Sequence, residues 1–412
     1  MPSSDVPDIT PTASRSPPRA RARFVRLSVP VIATFRRVGL CLHPNHMILV
    51  VPEVGFATAP ARSAVSRART FKMPFSKQRA MGLEFHYYVP GCFQDPQSDI
   101  ELGKYAAERG FEGVWIGDHL LPWLDNRPYT HQILPWLGAF MNEVPEVTVG
   151  TFVTCPIARY EPPVLAQALA TLDNMYPGRF ELGVGTGEAL NEAQFIDGDW
   201  PDWETLASML VESLEVIDRL WEAEEYVGYD GTHFQYDPMR LYTRPAEPLP
   251  THWAAWGPKS AHKAGVHAGN LMTASPPEHI SERLVPDFES GLAEAGRSLS
   301  DAHVSTQFTA HVGDPDALVD EIREKGEHTP HDTELDNPDP RDVQAAADAE
   351  LAEMSDAEIR EANNIVEDPS ELVDRVTALD DAGVTRVILV SKVGDFRETI
   401  DVVADECMSA VE

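Results

Sequence analysis

The chain has 412 residues and a formal net charge of −33, and its charges are unevenly placed: residues 1–80 hold 13 Lys and Arg against three Asp and Glu, leaving 20 basic and 63 acidic residues after them. A long acidic part with no basic stripe excludes nucleic acid as a partner, and it fits a halophilic source, where salt screens the self-repulsion. Four scattered cysteines, Cys41, Cys92, Cys155 and Cys407, have no C-x-x-C spacing; they exclude a disulfide framework and a thiolate metal site and fit a reducing, cytoplasmic setting.

Residues 1–80 are rich in Arg, Pro, Ser and Ala, and their apolar runs at 27–35 and 48–51 are far shorter than the roughly 20 residues that span a bilayer. Arg36-Arg37 ahead of apolar residues resembles a twin-arginine export signal, but His43-Pro44-Asn45-His46 interrupts the apolar core that such a signal needs. This segment is expected to be a disordered basic extension or an over-long start of the reading frame, with the true first residue at Met73 or Met81. Residues 81–412 are then one folded domain.

From Gly82 onward short apolar strands alternate with amphipathic helices. Strands are predicted at 83–88, 113–116, 147–153, 180–184, 251–255, 271–273, 303–312 and 386–390, and helices at 98–109, 133–142, 162–176, 203–221, 260–267, 277–295, 369–382 and 395–411. This order demands a parallel sheet. Eight strands, each followed by a helix, close as a (β/α)8 TIM barrel; a doubly wound open sheet is the alternative. Two stretches lie outside the rhythm. Residues 226–234 read as a β-hairpin insertion turning at Asp230-Gly231, placed to act as a flap. Residues 313–367 are an acidic helical insertion before the last strand, with at most two helices near 315–326 and 340–363, read as solvated surface or lid.

In such a barrel chemistry gathers at the carboxy-terminal strand ends. These ends carry Asp118-His119 and Trp123 after the second strand, the run 151–156 after the third, Thr186-Gly187-Glu188 after the fourth and Trp256-Gly257 after the fifth. Glycines at 183, 185 and 187 leave backbone against which a flat ligand could lie, and their spacing is not the dinucleotide fingerprint G-x-G-x-x-G. His119 suits proton transfer near neutrality, and Glu188 does so once a ligand excludes water. Each also has a structural reading: Asp118-His119 as a loop-capping pair, Trp123 as core, Glu188 as an acid favoured at a helix start. Arg159-Tyr160-Glu161-Pro162-Pro163 reads equally as an anion clamp or as a proline-opened helix. The sequence holds no G-x-S-x-G elbow, no P-loop and no zinc spacing, so no metal is expected.

Asp118-His119-x-x-Pro122-Trp123, Gly150-Thr151 through Arg159-Tyr160, Tyr176-Pro177-Gly178-Arg179, Leu182 through Glu192 and Ala254-Ala255-Trp256-Gly257-Pro258 together resemble the bacterial luciferase-like superfamily. Within it they are most similar to the group of coenzyme F420-dependent glucose-6-phosphate dehydrogenases. The resemblance runs from about Gly82 to the C-terminus, with 313–367 poorly matched, and it implies a homodimeric barrel with a deazaflavin across the strand ends. It implies His119 as catalytic base, Glu188 as the acid beside the deazaflavin ring and Trp123 as an aromatic wall. It places the cofactor against Asp118, Phe152, Val153, Cys155, Thr186, Gly187 and Asn191, with its phosphate-bearing tail at Trp256, Gly257, Lys259 and Ser260, and it implies a cis peptide between Phe152 and Val153. The departures concern the substrate: Ala274 to Glu278 and Glu361-Ala362-Asn363-Asn364 stand where sugar-phosphate members hold the substrate phosphate with basic residues, Pro90-Gly91-Cys92-Phe93 lacks the acid of the first loop, and Cys155 replaces a threonine. The expected activity is therefore hydride transfer between F420 and a small uncharged alcohol or carbonyl compound. An FMN-dependent monooxygenase and a catalytically silent cofactor-binding barrel are the alternatives.

Overall fold

The computed structural model describes residues 82–330 and 336–411; the expectation for residues 1–80 lies outside them. Eight parallel strands close a barrel. In chain order they are β1 (Glu84–Val89), β2 (Gly113–Ile116), β3 (Thr148–Thr151), β4 (Phe180–Val184), then, after a hairpin of β5 (Val227–Asp230) and β6 (Gln235–Met239), β7 (Thr251–Ala254), β8 (Gly269–Thr273), β9 (Val304–Thr309) and β12 (Arg386–Val390). The ring closes where β1 pairs with β12, Glu84 opposite Arg386 and Tyr87 opposite Leu389. A helix follows each wall strand, as the alternation of patterns predicts, and the apolar core lies between strands and helices.

Three differences separate the structure from the sequence reading, and the last two have local causes. The seventh predicted strand is two: β9 stays in the wall, whereas β10 (His311–Val312) leaves it and pairs with β11 (Ile365–Val366) at the far end of the acidic insertion. Inside that insertion the single helix expected over 340–363 is broken into Pro340–Glu353 and Asp356–Ala362, because Ser355 and Glu358 form a capping box that starts a new helix. The predicted helix over 277–295 contains a π turn at Ile280–Leu284, just ahead of Pro286 at the start of Val285–Glu294, where a ring without an N–H cannot continue the ladder.

Neither insertion behaves as expected from composition. The acidic one buries Leu318, Val319, Ile322, Leu351 and Ile359 in a core of its own, and its Val343 and Ala347 pack on Leu124 and Trp123. The hairpin turns through a four-residue loop, 231–234, closed by Gly231 N–H to Phe234 O at 2.9 Å, and is no tight Asp-Gly turn. Glu212, on the helix Trp203–Glu222, accepts the N–H groups of Thr232, His233 and Phe234, while Tyr229 donates to Glu215. A strip so tied to a helix flank is a buttress and not a flap.

The barrel floor is polar. Arg386, 3 % exposed, donates to Glu84 at 2.8 Å and to Glu181 at 2.7 Å, and His252 bonds Glu181 at 2.7 Å. Above them Trp115 donates to His86 Nδ1 at 2.6 Å. Glycine makes this stacking possible: a Cβ on Gly113 would lie 2.2 Å from the His86 ring and one on Gly150 2.3 Å from the Trp115 ring.

The 63 acidic and 20 basic residues after position 80 should make the barrel sensitive to ionic strength, because unscreened repulsion acts over tens of ångströms in dilute salt. The melting temperature is expected to rise from low to molar KCl; a flat profile would refute the salt-adapted reading.

Candidate active site

The mouth is assembled from the loops after β2, β3, β4 and β7. After β3 the Phe152–Val153 peptide is cis, as the resemblance implies, and Thr154 then bridges to Val184 at the end of β4. The glycine run of β4 is packed against this segment. A Cβ on Gly183 would meet Thr151 O at 1.8 Å, one on Gly185 would meet Val153 at 2.7 Å, and one on Gly187, whose φ is +83°, would meet the Cys155 sulfur at 2.5 Å. On the side where side chains would stand, these glycines therefore make room for the neighbouring loop, which corrects the expectation of a backbone open all round.

Asp118 is likewise not free to meet a cofactor. One carboxylate oxygen accepts the Thr154 hydroxyl at 2.9 Å, and the other accepts Arg159 at 2.9 Å and the Tyr160 hydroxyl at 3.1 Å, with no exposed side-chain surface. Arg159 also donates to the Asp118 carbonyl at 2.8 Å and to Glu192 at 3.3 Å. The anion clamp read from Arg159-Tyr160 thus has its anions inside the protein. Ser260 is another correction: its buried hydroxyl accepts Trp253 Nε1 at 3.0 Å and donates to Ala254 O at 3.3 Å.

His119, Glu188 and Asn191 come together at the mouth. The side-chain oxygen of Asn191 accepts the backbone N–H groups of Leu120 at 2.7 Å and Leu121 at 3.0 Å; its NH2 reaches His119 Nδ1 at 3.0 Å and Glu188 Oε2 at 3.3 Å. Among the described residues no hydrogen bond reaches His119 Nε2. Burial, with the Arg159 charge adding to it, pushes the His119 pKa down to about 4. Burial also pushes Glu188 up to about 7, with the Asn191 hydrogen bond opposing and the Glu192 charge assisting.

Around this trio, Thr186, Gly187, Phe152 and Val153 are half-buried, Cys155 is buried behind Gly187, and Trp256 is 58 % exposed. Trp123 leans on the acidic insertion. Gly257 opens the helix Pro258–Lys263 with nothing within 4 Å of where a Cβ would be, and Lys259 lies on the surface, paired with Glu204 at 3.1 Å. An exposed indole, a half-buried strip, an open helix start and a free imidazole nitrogen accommodate a planar cofactor with an anionic tail.

Sequence reasoning missed Tyr88, Thr154 and Glu192. Tyr88 packs edge-on against Phe152 with ring centres 5.7 Å apart, and its hydroxyl lies 2.5 Å from where Gly117 would carry a Cβ. Glu192, 1 % exposed, accepts Arg159 N–H at 2.9 Å and is itself raised to about 7 by burial, Arg159 opposing. Its spacing was the available signal, since residues four apart on a helical turn share a face with one another.

The sequence model of the luciferase-like monooxygenase family matches residues 80–386, and the chain belongs to that family. Within it the chain stands in the F420-dependent group. It is 37 % identical to an F420-dependent glucose-6-phosphate dehydrogenase of Microbacterium testaceum over 58 % of this chain and 72 % of that protein, and 32 % identical to one from Beutenbergia cavernae over 76 % and 93 %. Among solved structures, an F420-dependent secondary alcohol dehydrogenase in complex with an F420-acetone adduct matches with a TM-score of 0.72 and 32 % identity, over 81 % of this chain and 100 % of that one. The F420-dependent tetrahydromethanopterin reductase of Methanopyrus kandleri, 24 % identical with a TM-score of 0.64 over 81 % of this chain and 100 % of that one, shares the fold.

Proposed function

We propose that this chain is an F420-dependent oxidoreductase that moves a hydride between the deazaflavin and a small, uncharged alcohol or carbonyl substrate. The observation that carries this reading is the pairing, at one barrel mouth, of a neutral His119 with Nε2 free and a Glu188 poised at about 7. F420 supplies a two-electron hydride site when bound. Phe152, Val153, Thr186, Gly187 and Trp256 would hold it, with Gly257 and Lys259 toward its tail. Glu188 holds or takes a proton beside it, and His119 faces the substrate oxygen. The relatives and the solved alcohol dehydrogenase are F420 enzymes, which supports F420 over FMN. An anaerobic F420 titration followed by a panel of secondary alcohols, ketones and glucose 6-phosphate tests the reading. Saturable F420 binding with turnover of an uncharged substrate is expected, and FMN binding in its place would overturn it.

The charge of the rim supports an uncharged substrate. Arg127 and Lys392 both direct their charge to Glu327, which is 6 % exposed, Lys392 at 3.5 Å, and Arg159 is held by Asp118 and Glu192. No phosphate clamp stands open among these three cations. Glu327→Gln would release two of them, so inhibition by a phosphate ester should tighten by roughly tenfold, about 1.4 kcal/mol. Unchanged inhibition constants would separate this trio from substrate choice.

A further inference from the structure

We propose that Arg159 is a positioning residue for His119: it clamps Asp118, the residue before the imidazole, to Glu192, at the end of the helical turn that starts at Glu188. The catalytic consequence rests on the oxidoreductase reading, in which His119 takes the hydroxyl proton of an alcohol as the hydride leaves the neighbouring carbon; the brace itself rests on geometry. The Arg159 guanidinium reaches out in two directions. Toward the loop after β2, Nη1 lies 2.9 Å from Asp118 Oδ1 and Nη2 donates to the Asp118 carbonyl at 2.8 Å. Toward the turn after β4, Nε donates to Glu192 Oε1 at 3.3 Å, and the Arg159 backbone N–H donates to Glu192 Oε2 at 2.9 Å. The Tyr160 ring lies under the guanidinium at 4.6 Å, and its hydroxyl donates to Asp118 Oδ1 at 3.1 Å.

The two ends of this brace are unequal. Glu192 is held by its own turn, its N–H bonding Glu188 O at 3.0 Å, and the glycines ahead of that turn interlock with residues 151–155. His119 instead sits outside any helix or strand and is caught on both sides. Arg159 holds Asp118 ahead of it, and Asn191 accepts the N–H groups of Leu120 and Leu121 behind it. Both holds run to the turn 188–192, so the spacing between His119 and Glu188 is fixed from that side. The side chains of Asp118, Arg159 and Glu192 are each at most 10 % exposed, so these bonds lie away from water. Such a brace needs arginine: a planar guanidinium offers donors along several fixed directions, whereas a lysine ammonium is one point on a flexible stem. The run that reads as a clamp for a ligand's anion is a clamp for the loop that carries the base.

Arg159→Lys keeps the charge and loses the fork. In single turnovers of the F420-loaded variant, measured where circular dichroism shows it folded, hydride transfer should slow by roughly 10–100-fold while the F420 dissociation constant changes by less than about threefold. In a His119→Ala background the same substitution should slow the reaction by less than about threefold, because the group it positions is gone. An undiminished rate, or an equal loss in both backgrounds, would overturn the proposal. Glu192→Gln cuts only the Nε bond, since one amide oxygen remains for the Arg159 backbone N–H; it should repeat the pattern more weakly, and it decides the question if Arg159→Lys does not fold. The brace is also read without substrate. In full-length protein labelled with nitrogen-15 histidine, the His119 ring signals, assigned by their loss in His119→Ala, should shift in Arg159→Lys, and unmoved signals would overturn the brace. Failure of every alcohol and carbonyl compound to react would count against the oxidoreductase reading and leave that spectral result standing.

Discussion

His119→Ala and Glu188→Gln are each expected to slow hydride transfer by roughly 10²–10⁴-fold while the fold and most of the cofactor affinity survive. His119 lies in a loop beyond the end of β2, with one ring nitrogen unbonded, and Glu188 is half-buried with one hydrogen bond to Asn191. Neither side chain holds strands together. The double variant should lose less than the product of the two single effects if both groups act in one transition state. Glu188, at about 7, also dictates a pH dependence. Where it must give a proton, in alcohol oxidation, the rate should fall as pH rises through about 7. Where it must take one, in carbonyl reduction, the rate should fall as pH drops through the same value. Glu188→Gln should abolish both limbs. Single-turnover absorbance of the deazaflavin measures the rates, and wild-type rates in either single variant, on a substrate shown to react, would make the trio structural.

The second large effect concerns the barrel floor. Arg386→Met removes a buried cation and leaves the half-buried carboxylates of Glu84 and Glu181 without it, and breaking a buried pair from one side costs about 3–5 kcal/mol. Arg386→Met combined with Glu84→Gln and Glu181→Gln should recover much of that loss, because no unpaired charge remains. The same network makes the barrel acid-labile. Burial, with Arg386 adding to it, lowers His86 from 6.5 to about 4 and His303 from 6.5 to about 3, and both are under 9 % exposed. A depressed histidine contributes stability that is complete above 6.5 and lost as pH falls toward the folded value, at about 1.4 kcal/mol per pH unit for each. Glu84, held at about 2 against an ordinary 4.5, extends the loss below 4.5. Glu188 and Glu192, raised from 4.5 to about 7, act in the opposite sense between 4.5 and 7, but His119 and His311, both lowered to about 4, join His86 and His303 on the losing side. Urea melts at constant molar KCl should show stability falling from pH 7 to pH 4, and an unchanged midpoint would refute the account.

The barrel wall was legible because its strands are short apolar runs separated by long amphipathic helices, a pattern that each segment carries within itself. Arg386 shows where such reading stops. At the head of the last strand it reads as a surface cation, yet it is buried by partners 302 and 205 residues away, Glu84 and Glu181. The two-residue pairing of β10 with β11 has no local signal either, since neither segment is long enough to show a period. At the mouth, strand ends directed attention to His119, Glu188 and Asn191, but residue type alone cannot reveal how an amide is oriented. Asn191 was read, on the resemblance, as a ligand for the cofactor; three of its side-chain hydrogen bonds run to residues 70 to 72 positions away and one to Glu188. Asp118 and Ser260 were expected to face the cofactor on the resemblance, and both side chains turn inward.

The interlock between the glycines of β4 and the loop after β3 bears on how such a mouth could be rebuilt. Because Thr151, Val153 and Cys155 occupy the space that side chains at 183, 185 and 187 would fill, the two segments form a single mould. A designer who transplants the Glu188 turn to another scaffold must carry residues 151–155 with it. Combinatorial libraries that diversify one segment while freezing the other would consist mostly of clashes, and useful variation has to be drawn jointly from both.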